Sequence, residues 1–360
     1  MNEPRPRRIY VDQSHVRGHI TGIERVALDL FAPERLAPHE VVPFRSGGVP
    51  RMILDQQLTL PAKALAERDA LFIYPGFPPG PLSALMGERC LFYVHDTFLL
   101  SRPQDLNWKS RAYMTPGFAL AMRYARRIFT NSFTTGADIR RYCSPDAMVA
   151  LLRPAVADVF GLAGSSGAAP YREGEPLRIL AIGTIEPRKD YPASIALVDA
   201  LNRAGIPAEL HIVGRVGWGR HDFLASPPPF LTVHGYIGDD ALRRLAETCH
   251  LLLSTSKAEG LGLPLLEVQH GGLPVVAPEA DIFAEVLGAS ALFIRPGEPE
   301  AAARAVAEAA RSGDLARRAA LSRPNVTQWN ALCAADAGRF RDFVRSGPSA
   351  YGPENLVPAL

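Results

Sequence analysis

Short runs that are apolar on both faces alternate with longer stretches of helical periodicity along nearly the whole chain, and this rhythm decides the fold class. The runs are Arg8–Val11, Ala70–Tyr74, Cys90–Val94, Arg127–Asn131 and Met148–Leu152, then Leu177–Ile182, Ala208–Val213, Leu231–Val233, Leu251–Ser254, Pro274–Ala277 and Ala291–Ile294. Helical patterns fill the gaps, among them Gly22–Phe31, Tyr113–Arg126, Tyr191–Ala204, Asp239–Thr248, Pro264–His270 and Glu300–Arg311. Strands apolar on both faces need cover on both sides, and helical crossovers provide it. The pattern predicts an α/β protein with parallel sheets and helices on each face.

The rhythm breaks between residues 153 and 176, where Gly161, Gly164, Gly167, Pro170, Gly174 and Pro176 punctuate a stretch without periodicity. Residues 161–176 read as an interdomain linker. The expected division is a first domain over 1–160, a second over 177–325, and a C-terminal helix and tail over 326–360 that can return to the first. A length of 360 residues suits two such domains. Doubly wound sheets bind ligands beyond the carboxyl ends of their strands, so two of them predict a cleft between those ends.

Composition removes several function classes. Basic and acidic residues number 39 and 37, which argues against a general nucleic-acid binder. No apolar run approaches the ~20 residues of a membrane-spanning helix. The basic N-terminus leads directly into Ile9-Tyr10-Val11 without an apolar signal core, which predicts a cytoplasmic protein. Cys90, Cys143, Cys249 and Cys333 form no metal-ligand spacing and read as small buried hydrophobes in a reducing compartment. Lysine is scarce, only Lys63, Lys109, Lys189 and Lys257, so a lysine within a motif draws notice.

The most informative string is Ser254-Thr-Ser-Lys-Ala-Glu-Gly-Leu-Gly-Leu-Pro-Leu-Leu-Glu267. A strand ends near Ser254, Gly260 and Gly262 admit a ligand close to backbone amides, and Pro264 suits the first turn of a helix. Donors at a helix start favour phosphate. Glu259 and Glu267 flank the loop, and ionised carboxylates accept hydrogen bonds from a hydroxyl-rich ligand. A second string, Gly183-Thr-Ile-Glu-Pro-Arg-Lys-Asp190, follows the strand ending at Ile182 and sets Arg188 and Lys189 where two cations can clamp a pyrophosphate.

Together these strings resemble the retaining GT-B glycosyltransferases of family 4, the glycosyl transferases group 1. The first resembles their E-x7-E motif, usually E-G-F-G-L-P-x-x-E, with Leu261 in place of Phe and Leu263 at the matching Leu. The second resembles their G-x-x-x-x-R-K-N, with Asp190 in place of Asn. His95-Asp96, closing the strand Cys90–Val94, resembles the family's H-D, which implies contact of His95 with the transferred sugar; taken alone, such a histidine is structural. Gly22, in Gly18-His-Ile-Thr-Gly-Ile-Glu24, resembles the family's N-terminal glycine loop and offers backbone amides to a phosphate, with a plain turn as the alternative. Ile212-Val-Gly-Arg-Val-Gly-Trp218 and His234-Gly-Tyr-Ile-Gly-Asp-Asp-Ala-Leu242 resemble the family's V-G-x-x-G-W and the segment beside the nucleobase; Tyr236 and Ile237 are then base contacts or core residues.

The resemblance implies two Rossmann-like domains facing a cleft and a retaining, metal-independent transferase. Its donor is a nucleoside-diphosphate sugar, with GDP-mannose the first candidate from likeness to bacterial mannosyltransferases of surface-polysaccharide assembly. Arg188, Lys189, Glu259 and His95 are its expected catalytic residues, and Gly183, Gly260, Leu261, Gly262, Leu263, Glu267, Gly22, Tyr236 and Ile237 its donor contacts. No cofactor, metal or nucleic acid is expected. The acceptor is a saccharide or lipid-linked saccharide. Residues 107–127 mix Arg, Lys and aromatics and read as a solvated helix or as a peripheral membrane contact. A sugar-nucleotide epimerase of the same fold and an inactive binding subunit are the alternatives, whereas Gly214-Arg-Val-Gly-Trp-Gly219 lacks dinucleotide-binding spacing.

Overall fold

The computed structural model describes residues 6–14, 16, 22–106, 108–165 and 167–359. Their strands form two sheets of six, one in each of two compact units. The first unit comprises Met1–Ala155 and Leu332–Leu360, and the second Val156–Ala331.

The first sheet holds β1 (Arg8–Asp12), β2 (Glu40–Phe44), β3 (Leu71–Tyr74), β4 (Cys90–Val94), β5 (Arg127–Thr130) and β6 (Met148–Leu151), in the order β2-β1-β3-β4-β5-β6. Every pairing is parallel. Strands β3 and β4 are buried at every position, as the both-faces apolar pattern requires. β2 is absent from the strands expected above, because its sequence Glu-Val-Val-Pro-Phe carries a leading charge and Pro43. A proline that cannot donate to a ladder is tolerated at an edge, and β2 is the edge.

The second sheet holds β7 (Leu177–Ile182), β8 (Ala208–Val213), β9 (Leu231–Gly235), β10 (Leu251–Leu253), β11 (Val275–Pro278) and β12 (Ala291–Ile294). Its order, β12-β11-β10-β7-β8-β9, reverses direction between β7 and β10. That reversal is a topological switch point, where loops leave neighbouring strands in opposite directions and open a crevice. The helices Tyr191–Arg203 and Pro299–Arg311 contribute Leu197, Val198, Leu201 and Val306 to a core with Leu177, Ile179, Leu210 and Ile212. Each such side chain stabilises the unit by about 1.5–3 kcal/mol when fully buried.

Residues 161–176, expected to link the domains, instead belong to the second unit. Leu162 is buried, its amide donates to Asp158 Oδ1 at 2.7 Å, and Arg323 Nη2 donates to the Ser165 carbonyl at 2.7 Å. The chain passes between the units at Ala155/Val156 and again at Ala331/Leu332.

The second passage lies inside one long helix, Asp314–Ser346, which runs through Pro324 and starts earlier than its expected first residue. Its C-terminal part packs Phe340 and Phe343 against Phe129, with ring centroids 5.0 and 5.1 Å apart. The tail beyond it also packs on the first unit. Leu356 bridges Ala150 of edge strand β6, and the Val357 amide donates to the Val149 carbonyl at 2.9 Å.

Candidate functional site

The loops after β7 and β10 meet at the switch point of the second sheet. The β7 loop turns through a single 3-10 turn, Pro187–Lys189, and ends at Asp190, the one non-glycine residue with positive φ (51°) among those described. Short Asx side chains tolerate this left-handed conformation, which explains how Asp stands here in place of Asn. The Asp190 side chain does not cap the helix that follows; it lies 3.8 Å from Lys257 Nζ. Backbone and hydroxyl bonds stitch the loops together. The Lys257 amide donates to the Arg188 carbonyl at 2.8 Å, and Thr255 Oγ1 donates to the Asp190 carbonyl at 2.8 Å.

Four charged side chains converge there. Arg188 Nη1 donates to Glu259 Oε2 at 2.9 Å and to the Ala258 carbonyl at 2.7 Å, while Nη2 donates to Glu186 Oε1 at 2.6 Å. Lys189 Nζ reaches Glu259 Oε1 at 2.6 Å. The Glu259 side chain is only 8% exposed. Burial alone would push its carboxyl up, but the charges of Lys189 and Arg188, with hydrogen bonds from Lys189 and Ser256, hold it down at about 2. It is therefore an anion throughout the physiological range.

The chain after Glu259 forms a glycine turn and a short helix, Leu263–Glu267, continued by one 3-10 turn, Val268–Gly271. Gly262 has φ 79°, a conformation that a side chain would strain, and Pro264 occupies the first turn. Lys189, Tyr191, Ser194, Ser254, Thr255, Ser256, Glu259, Gly262 and Pro264 line one small cavity. Cation, hydroxyls and helix start therefore face a common space. Gly183 lies against Lys189, whose Cε would stand 3.0 Å from an added Cβ, and its carbonyl accepts from Tyr191 Oη at 2.8 Å. Burial raises the Tyr191 phenol above its ordinary value, so it remains a donor. Gly214, in the loop after β8, packs so closely on Gly183 that a Cβ there would collide with the Gly183 carbonyl oxygen.

The other expected residues fall in three places. Leu261 and Glu267 are buried, Gly260 and Leu263 partly so, and Glu267 lies on the short helix rather than on the cavity wall. Tyr236 is 68% exposed, with the Arg215 guanidinium 4.8 Å above its ring, and Ile237 beside it is half-buried. An exposed tyrosine is not a core residue, which removes that alternative. In the first unit, His95 follows β4 and its Nε2 lies 2.6 Å from the Pro75 carbonyl. A carbonyl only accepts, so Nε2 carries the proton. Asp96 Oδ1 accepts from the Phe98 amide at 3.0 Å and so shapes the loop after His95. Gly22 opens the helix Gly22–Leu30, whereas Gly18 and residues 19–21 lie outside the described residues.

Sequence reasoning left Glu186, Ser256 and Arg215 unassigned. Glu186 stood inside the motif already singled out, but its burial and its pairing with Arg188 show only in the structure. The helix Trp108–Tyr124 leaves Trp108 74% and Tyr124 57% exposed, while Asn107 and the side chains of Lys109, Ser110 and Tyr113 lie outside the described residues. No helix among the described residues is long and apolar enough to cross a membrane. No group of three or more metal-ligating side chains occurs among them.

Comparison with known proteins gives the class of this second unit. Residues 169–322 match the family described as Glycosyl transferases group 1. Among individual proteins, the chain is 31% identical over 137 residues to the serotype-specific mannosyltransferase WbdA of Escherichia coli; the match covers 36% of this chain and 17% of that protein. The fold extends over both units. The sucrose-phosphate synthase of Thermosynechococcus elongatus superposes with a TM-score of 0.69 at 17% identity, covering 94% of this chain and 99% of that one. Anabaena HepE, solved with UDP-glucose, superposes with a TM-score of 0.67 at 16% identity, covering 93% and 99%. The chain thus has the two-unit α/β fold of the GT-B glycosyltransferases.

Proposed function

We propose that the protein is a retaining glycosyltransferase that takes a nucleoside-diphosphate sugar, GDP-mannose first, and delivers the sugar to a saccharide or lipid-linked saccharide. One observation carries this reading: Lys189, Arg188, Glu259 and the glycine-rich helix start come together at the switch point of the second sheet. The mannosyltransferase relative supports the choice of sugar, and HepE with UDP-glucose supports a nucleotide-sugar donor.

The chemistry follows from charge. As the glycosidic bond breaks, negative charge grows on the departing diphosphate and positive charge on the sugar ring. Cations and amides fixed beforehand around the phosphate stabilise that separation without reorganising. In this reading Glu259 accepts sugar hydroxyls and holds the ring in place, and Glu267 accepts from the ribose. Tyr236 and Ile237 meet the base. His95 is assigned to the transferred sugar and Gly22 to a phosphate, as the family resemblance implies. The departing phosphate oxygen takes the acceptor proton on the same face, which dispenses with a protein base and with a catalytic metal. A peripheral membrane contact through the helix Trp108–Tyr124 belongs to the same proposal, carried by its exposed Trp108 and Tyr124.

Thermal-shift titration with GDP, UDP, GDP-mannose and UDP-glucose tests the donor assignment, and the expected result is a higher melting temperature with the matching pair. Proton NMR of the product from an α-linked donor is expected to show an α-linkage, in the presence or absence of EDTA. Indifference to every nucleotide, or a β-linked product, contradicts the reading. His95→Ala is expected to lower kcat while leaving nucleoside-diphosphate affinity unchanged.

A further inference from the structure

We infer that Arg188 and Lys189, although adjacent, have different tasks: Lys189 is the phosphate ligand, whereas Arg188, held by Glu186, is a positioning residue that keeps Glu259 aimed at the transferred sugar. The inference rests on the donor-site reading above and departs from the expectation that both cations clamp the diphosphate.

The contacts of the two cations differ in kind. Arg188 spreads its planar guanidinium over three acceptors, the Ala258 carbonyl, Glu259 Oε2 and Glu186 Oε1, at 2.7, 2.9 and 2.6 Å. Two of these acceptors are carboxylates with side chains only 6% and 8% exposed. Turning Arg188 toward a phosphate would strip both of a charge partner in a poorly solvated place, which is strongly unfavourable. Lys189 lines the small cavity beside Gly262 and Pro264, and a single ammonium on a flexible stem joins it to Glu259 Oε1 at 2.6 Å. Exchanging that carboxylate oxygen for a phosphate oxygen preserves the type of bond, and a lysine serves as a mobile point charge where an arginine serves as a fixed fork.

The division has a consequence for Glu259. With Lys189 drawn to a phosphate, Oε1 is released to accept a sugar hydroxyl, while Arg188 still holds Oε2. The carboxylate gains an accepting oxygen without losing its orientation. Glu186 is suited to fix the geometry by its place in the chain. It immediately precedes the Pro187–Lys189 turn, and its carbonyl accepts from the Lys189 amide at 3.0 Å. The same turn thus sets the spacing of the acid and both cations.

Calorimetric titration of GDP, UDP, GDP-mannose and UDP-glucose into the parent protein and the variants Lys189→Met, Arg188→Lys, Glu186→Gln and Glu259→Gln separates the roles, with thermal melts showing that each variant is folded. Lys189→Met is expected to weaken the nucleoside diphosphate and its sugar derivative alike, by about tenfold or more. Arg188→Lys and Glu186→Gln are expected to leave the diphosphate within about twofold, to remove the additional affinity contributed by the sugar, and so to raise the donor KM as well as lower kcat. Glu186→Gln combined with Glu259→Gln is expected to be no worse than Glu259→Gln alone, and Glu186→Asp to recover part of the loss. Equal loss of diphosphate affinity in Arg188→Lys and Lys189→Met overturns the division of tasks while leaving the donor site standing, as do additive effects of Glu186 and Glu259. Failure of every nucleotide to bind the parent protein removes the donor site, and this inference with it.

Discussion

At the carboxyl end of β1 in the first unit, the buried Asp12 accepts from Gln56 Nε2 at 2.7 Å and from the Ser14 amide at 3.0 Å. Beyond β7 and β10 in the second unit, the buried acids Glu186 and Glu259 are satisfied by Arg188 and Lys189. All three acids follow strands at the ends where a doubly wound sheet places its ligands, and all are hydrogen-bonded. The difference lies in the donors. Amides carry no net charge and can only close a polar cluster, whereas a cation can be handed from a carboxylate to an incoming anion. The sheets are alike, and the donors that the loops supply distinguish their ends.

The sharpest way to break this contrast is to remove a key group from each end. Lys189→Ala is expected to lower kcat/KM by about 10²–10³, the usual effect of losing a preorganised charge. Asp12→Asn is expected to change nucleoside-diphosphate affinity by less than about twofold, since its partners belong to a closed cluster. Steady-state kinetics and calorimetry on both variants check the pair, and equal losses would erase the distinction.

A second difference concerns the edges of the sheets. Strand β6 is covered by the C-terminal tail, where Arg140 Nε donates to the Val357 carbonyl at 3.0 Å and Val357 itself is buried. Removing residues 347–360 is expected to destabilise the first unit by about 2–4 kcal/mol, through lost apolar burial and unpaired backbone groups. Denaturant unfolding measures it, and nucleotide affinity of the second unit serves as the control. Unchanged stability would show that the tail is a passenger.

The smallest expected effect is one of pH, and it falls mainly on the second unit. Burial lowers the imidazoles of His211, His234 and His250 below the usual histidine value; the neighbouring His234 adds to this at His211 and Arg178 at His250. A folded value below the unfolded one means that the unfolded chain binds more protons. Stability is therefore complete above about pH 6.5 and declines as pH falls through that region. Glu259 behaves alike further down, its contribution complete above the ordinary carboxylate range and lost as pH approaches about 2. Urea midpoints at pH 7.5 and 5.5, for the parent and for His211→Gln with His234→Gln, are expected to show a smaller drop in the double variant.

Eleven of the strands were legible in the sequence because buried parallel strands leave continuous apolar runs with sharp Gly, Asp or Ser ends. Strand β2 was not legible, since an edge strand tolerates the charge and proline that disguise it. Residues 161–176 read as a linker from composition, which does not reveal the buried Leu162 and the hydrogen bonds of Leu162 and Ser165 that hold them in the second unit. At the site, the positions of Lys189 and Glu259 were legible from spacing, because loops that follow adjacent strands at a switch point must approach one another. The role of Glu186 was not, since a carboxylate two residues before an arginine can face solvent or fold back, and only the turn geometry decides.

The account rests on a nucleoside diphosphate seated at the junction of the β7 and β10 loops, and a structure of the protein with GDP or UDP bound tests this most directly. The prediction is a terminal phosphate within hydrogen-bonding distance of Lys189 Nζ and of the amides around Gly262, with Glu259 still paired to Arg188. A nucleotide bound elsewhere, with the Lys189–Glu259 contact intact, would contradict it.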